Sequence, residues 1–133
     1  YSLGDELIRM LGVTLVDSVD KDRDFVGHIG GDDFFVLFRS EDWEVRCARV
    51  LAAFDWRLRS SLRQEDLDRG GYYSEDRRGE VVFQPLPSLA AGAVHVSAGG
   101  FNSHHEVAAA ASVAKKHAKK HAGSYLFVER RRT

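Results

Sequence analysis

Two apolar runs, Phe25-Val26-Gly27-His28-Ile29 and Phe34-Phe35-Val36-Leu37-Phe38, flank the tetrapeptide Gly30-Gly31-Asp32-Asp33. Nothing else in the chain constrains its fold as tightly. Each run is short and rich in β-branched and aromatic residues, and paired glycines between two such runs read as a hairpin turn. The turn puts two carboxylates at its tip. Glycines let backbone N–H groups approach a phosphate, and adjacent acids offer oxygen ligands to a divalent metal. Taken alone, the tetrapeptide is more often an ordinary hairpin turn. What surrounds it has to separate the two readings.

A helix precedes the hairpin. Ser2 is placed to cap it, and Asp5 and Glu6 fall in its first turn, where the macrodipole favours acids. Leu3, Leu7, Leu11 and Leu15 form one stripe at i+4 spacing, and the polar stretch Asp17–Asp24 ends the helix. Ser40 opens a second helix with Glu41 and Asp42 in its first turn. Its packed stripe is Trp43, Cys47, Val50, Phe54, Leu58 and Leu62. Trp43 and Trp56 are read as core packing beside that stripe, and Cys47 as a buried small hydrophobe. Residues 63–79 form a charged excursion with Tyr72 and Tyr73 at its centre. It is long for a loop and has room for a small hairpin or a ligand contact.

Val81–Phe83 reads as a short strand, and Ala93–Ser97 alternates like another, ended by Gly99 and Gly100. A third helix is expected from Ser103 to His121. Its narrow face is Val107, Ala111, Ala114, Ala118 and Ala122, and four lysines cluster near its C-terminus. Gly123 is a stop, and Tyr125–Val128 is a last strand. The expected order is α-β-β-α-(β)-β-α-β, an α/β sandwich with antiparallel hairpins.

At 133 residues and 44% hydrophobic, the chain fits one domain with a real core. A formal net charge of −1 gives no general attraction to nucleic acid or to an anionic membrane, so no nucleic-acid partner is expected. The single cysteine, Cys47, excludes an internal disulfide and suits a reducing, cytoplasmic compartment. No apolar run reaches transmembrane length, which leaves open a membrane-associated parent protein. The chain reads as a segment of something longer.

With this order in view, the chain resembles the GGDEF domain of bacterial diguanylate cyclases. Tyr1-Ser2-Leu3-Gly4-Asp5 is similar to the end of the family's Asn-Asp…Gly-His-x-x-Gly-Asp segment. His28-Ile29-Gly30-Gly31-Asp32-Asp33-Phe34 resembles the signature, and Val96-Ser97-Ala98-Gly99 the Val-Ser-Ile-Gly strand end. Ala114-x-x-x-Ala118-Lys119 resembles the closing helix. The likeness covers nearly the whole chain in the family's order. The insertion, from Glu65-Asp66 to Pro85-Leu86, and the lysine-rich helix resemble the GGDEF domains that follow EAL phosphodiesterase and CBS domains.

The resemblance implies a nucleotidyl-cyclase-like, ferredoxin-like palm: a mixed sheet with an antiparallel hairpin and flanking helices. Residues 1–133 would be one such domain, N-terminally incomplete, with the family's first strand missing before Tyr1 and 63–79 as an insertion loop. The family joins two GTP molecules into cyclic di-GMP with Mg²⁺ or Mn²⁺, using a homodimer of facing domains. Carried over, Asp32 and Asp33 would be metal-binding and catalytic. Gly30 and Gly31 would admit the phosphates, Asp5 would meet the guanine edge, and Lys119 would reach the phosphates. Lys21 and Asp24 would be the remnant of the product-inhibition site.

Several positions depart from the family pattern. The usual Glu is Asp33, shorter by about 1.5 Å, one C–C bond. Gly123 stands where an Arg is usual, and Lys21 replaces the Arg whose fork binds guanine. The expectation is therefore a GTP-binding cyclic di-GMP signalling domain with weak or no cyclase activity, regulating an attached EAL phosphodiesterase. An active cyclase and a nucleotide-free interaction module are the alternatives.

Overall fold

The leucine stripe and the acidic first turn produce the first helix, α1, Leu3–Ser18. The computed structural model describes residues 3–97 and 100–129, with the Leu3 side chain outside that set. Ser2, expected as a cap, and Ala98 and Gly99, expected at a strand end, lie outside the described residues. The chain divides into two units, Tyr1–Pro87 and Ser88–Thr133.

In the first unit, α1 packs on α2, Trp43–Ser61. Leu15 meets a core of Val50, Leu51, Phe54 and Leu58, the last two each 4% exposed. Burying a side chain of that size contributes about 1.5–3 kcal/mol. Thr14 is buried with them, and its hydroxyl both donates and accepts. It donates to the Met10 carbonyl at 2.7 Å and accepts from Arg57 Nη1 at 2.8 Å. Trp56 corrects the expected core: it is 71% exposed. Two residues from Phe54 and two from Leu58, it is rotated about 200° from the buried stripe and faces solvent.

The hairpin forms as expected, with β1 at Phe25–Gly30 and β2 at Asp33–Leu37, antiparallel. Val26, Phe34 and Val36 share the covered face, and Phe34 reaches α1 at Gly12. On the opposite face Phe25, Ile29, Phe35 and Leu37 are exposed.

The charged excursion is ordered. Its first part is a short helix, α3, Gln64–Arg69, closed by Gly70 in the left-handed region at φ 80°. Its second part is a hairpin of β3, Gly71–Glu75, and β4, Val81–Pro85. The Asp76 carboxylate accepts from the Arg78 and Glu80 backbone N–H groups and fixes the tip. Tyr73 meets the Phe83 ring edge-on, and Arg69 lies over Tyr73, so that tyrosine is engaged within the insertion.

The second unit is a strand–helix–strand: β5, Ala90–Val94; α4, His104–Ala118; β6, Tyr125–Glu129. β5 and β6 pair in parallel, from Ala90↔Tyr125 to Val94↔Glu129. The strand expected at Ala93–Ser97 thus lies three residues earlier. α4 packs on it through Ala110, Ala114 and Ala118. Ser103 caps α4 by accepting from the Glu106 N–H, and Glu106 accepts in return from the Asn102 N–H. Ser103→Ala should lower stability by about 1 kcal/mol, read as a lower urea midpoint at unchanged slope. α4 ends at Ala118, ahead of the expected stop at Gly123, because i→i−3 bonds from Lys120 and His121 tighten its last turn.

The molecule is mixed α/β with flanking helices. The expected single mixed sheet does not form among the described residues. Three two-stranded sheets take its place: β1–β2 and β3–β4 antiparallel, and β5–β6 parallel. Each pairing closes through its own connection, a turn for the hairpins and α4 for the parallel pair, and no strand is shared. No helix among the described residues is long and apolar enough to cross a membrane.

Candidate functional site

The turn between β1 and β2 is built by a change of register. Strand partners run from Phe25↔Leu37 to His28↔Phe34, then shift so that Gly30 faces Asp33. Ile29 is the extra residue, and the two-residue tip is Gly31-Asp32. Gly30 and Gly31 take φ of 155° and 56°, which side chains of L-residues rarely adopt. No atom lies within 4 Å of where a Cβ would stand at either position, so the backbone there is open to an incoming group. Asp32 is exposed at the tip, and Asp33, the first residue of β2, is half-buried.

His28 holds this turn, a role the sequence did not disclose. Its ring lies flat on Phe34, its cross-strand partner, at 4.2 Å between centroids. From there Nε2 donates to the Gly31 carbonyl at 2.9 Å. Its local cue is a ring donor three residues before a glycine, and the pairing that sets it opposite Phe34 is not local.

The base of the hairpin is equally specific. Asp24, just before β1, has a side chain 1% exposed. Its Oδ2 accepts from Arg46 Nη2 at 2.6 Å and from the Asp20 N–H at 2.8 Å, and its Oδ1 from the Arg39 N–H at 2.9 Å. The Arg46 hydrogen bond, aided by the backbone donors and opposed by burial, lowers the Asp24 carboxyl to about 2. Arg46 also donates to the Ser18 carbonyl and Ser40 Oγ, and lies over Phe38 at 4.3 Å. Asp24, Ser40 and Arg46 line a cleft of about 160 Å³ with Asp20, Arg23, Arg39 and Asp42. Asp24 is therefore engaged inside the fold, while Lys21 is exposed on the turn beside it.

The structure thus brings Gly30, Gly31, Asp32 and Asp33 together at one tip, with Lys21 and Asp24 at the base of the same hairpin. Asp5 is exposed in the first turn of α1. It stands about 10 Å along that helix from Gly12, where Phe34 makes contact. Lys119 belongs to the second unit, as the exposed C-cap of α4. Cys47 is half-buried, and burial, reinforced by Glu44, pushes its thiol up to about 11, which leaves little thiolate near neutrality.

No group of three or more His, Cys, Asp or Glu residues among the described residues is arranged to hold a metal. Asp32 and Asp33 supply two carboxylates. That number fits Mg²⁺ only where phosphates and water complete the shell. No family model, no curated protein and no solved structure matches this chain.

Proposed function

We propose that the chain is a GGDEF-type domain of cyclic di-GMP signalling that binds a guanine nucleotide and acts as a regulator of an attached EAL phosphodiesterase. The carrying observation is the Gly30-Gly31 turn. Its main chain is open, its tip holds Asp32, and it lies between antiparallel strands that follow α1. The order of the other matched motifs along the sequence supports the same reading. Asp32 and Asp33 would hold a Mg²⁺ that arrives with the nucleotide phosphates, and the ion would neutralise charge there. Gly30 and Gly31 would admit the phosphates, and Asp5 would accept from the guanine edge.

Asp33 in place of Glu sets its carboxylate back by about one C–C bond, and Asp24 is already bound to Arg46. Both support weak or absent cyclase activity and weak feedback binding. Calorimetric titration of GTP with Mg²⁺ should give a saturable heat that Asp32→Ala/Asp33→Ala removes, with no cyclic di-GMP formed. Product formation at ordinary rates, about 1 s⁻¹ or faster, would sink the inactivity claim.

One observation favours a second reading, a nucleotide-free interaction module. Phe25, Ile29, Phe35 and Leu37 leave an apolar sheet face exposed on the same hairpin. Absence of any heat with GTP over a wide concentration range selects that reading.

A further inference from the structure

The whole-chain charge of −1 conceals a division. Residues 1–87 carry twelve Lys and Arg against eighteen Asp and Glu, a balance of −6. Residues 88–133 carry seven against two, a balance of +5, and five of the six histidines. No acid stands between Glu106 and Glu129, the stretch that holds Lys115, Lys116, Lys119 and Lys120. The expectation of no nucleic-acid partner rested on the average, and the second unit is basic in its own right.

The end of α4 adds a second, independent feature. His117 lies on the Phe127 ring at 4.7 Å and 21°, and His121 on the Tyr125 ring at 3.6 Å and 10°. Both imidazoles are exposed, as are Lys116, Lys119 and Lys120. None of those three lysines is in an ion pair among the described residues. Phe127 and Tyr125 are alternate residues of β6 and so lie on one face, about 7 Å apart. Attraction to the helix dipole accounts for cations in the last turn, but not for two solvent-facing rings braced from behind.

We propose that this end of the second unit binds single-stranded nucleic acid, the lysines meeting phosphates and the braced imidazoles stacking on bases. A membrane surface fits less well. The large apolar residues exposed in this unit are Val96 and Val113 alone among the described residues, which gives nothing to insert. The proposal does not depend on the guanine-nucleotide reading.

The test is fluorescence anisotropy of the full chain with a labelled oligo-uridine of roughly a dozen nucleotides, within the site sizes of single-strand binders. Binding should weaken about 20-fold between about 50 and 200 mM salt if about three phosphates are neutralised. Lys116→Glu/Lys120→Glu should weaken it more than about 10-fold while leaving the far-UV circular dichroism spectrum unchanged. His117→Ala should weaken it, and His117→Phe should restore it. No binding at low salt, an unaffected lysine variant, or equal competition by a duplex, by phosphatidylserine vesicles or by inorganic triphosphate would each overturn the proposal.

Discussion

Asp24→Ala should cost about 3 kcal/mol of folding stability, the low end for removing one partner of a buried ion pair. The low end applies because the Arg46 side chain keeps 17% of its exposure while Asp24 keeps 1%. Three donors lose their acceptor at once: Arg46, the Asp20 N–H and the Arg39 N–H. Asp24→Asn keeps the shape but offers one acceptor oxygen and no charge, so it should recover only part of the loss. Urea unfolding of the three proteins reads the difference.

The pH dependence has a fixed sign. The Asp24 carboxyl lies at about 2 when folded, against 3.8 for the free group, so the native state favours the carboxylate. Its contribution is fully present above about pH 4 and is lost as pH falls toward 2. The gap between the wild-type protein and Asp24→Asn should therefore narrow over that window. A gap that stayed constant through it would show that the pair contributes no charge-dependent stability.

Gly92→Ala should be as severe for the second unit, about 3 kcal/mol, the upper part of the overpacking range. A methyl at Gly92 would stand 2.2 Å from the Lys115 nitrogen, 2.6 Å from the Ala114 carbonyl carbon and 2.8 Å from Lys115 Cα. All three are main-chain atoms of α4, so no side chain can swing aside, and α4 has to lift off β5. Trimming Ala114 to Gly should give no rescue, because the clash is with backbone. Hydrogen exchange of the β5 and β6 amides should accelerate in the variant. Unchanged exchange and an unchanged melting temperature would show that the helix shifts at little cost.

These two sites also mark where the sequence was legible and where it was not. The β1–β2 hairpin could be read because Phe25–Ile29 and Phe34–Phe38 carry large apolar residues on either side of two glycines. The middle of α2 could be read because Val50, Phe54 and Leu58 repeat at helical spacing. β5 begins three residues before its expected start, where Ala90-Ala91-Gly92-Ala93 carries little hydrophobic signal. Its small residues answer to the close approach of α4, a tertiary requirement. α3 was missed because six residues with one leucine have no period to detect. Its acidic start and its Gly70 stop were the available cues.

The candidate site divides in the same way. Gly30, Gly31, Asp32 and Asp33 are contiguous, so the sequence states their proximity. The Asp24–Arg46 pair is 22 residues apart, and no local pattern announces it. Trp56 lies near the stripe along the chain but about 200° from it around the helix, which puts it in solvent. His28 was passed over because its role needs the register that sets it opposite Phe34.

One consequence of Arg46 is mechanical. A single guanidinium grips the carbonyl that ends α1, the carboxylate that precedes β1 and the hydroxyl that follows β2. Those three points are the roots of the hairpin, and Arg46 itself is rooted in the first turn of α2. Both ends of the hairpin are thus tied to α1 and to α2 through one side chain, so these three elements of the first unit share a single anchoring point.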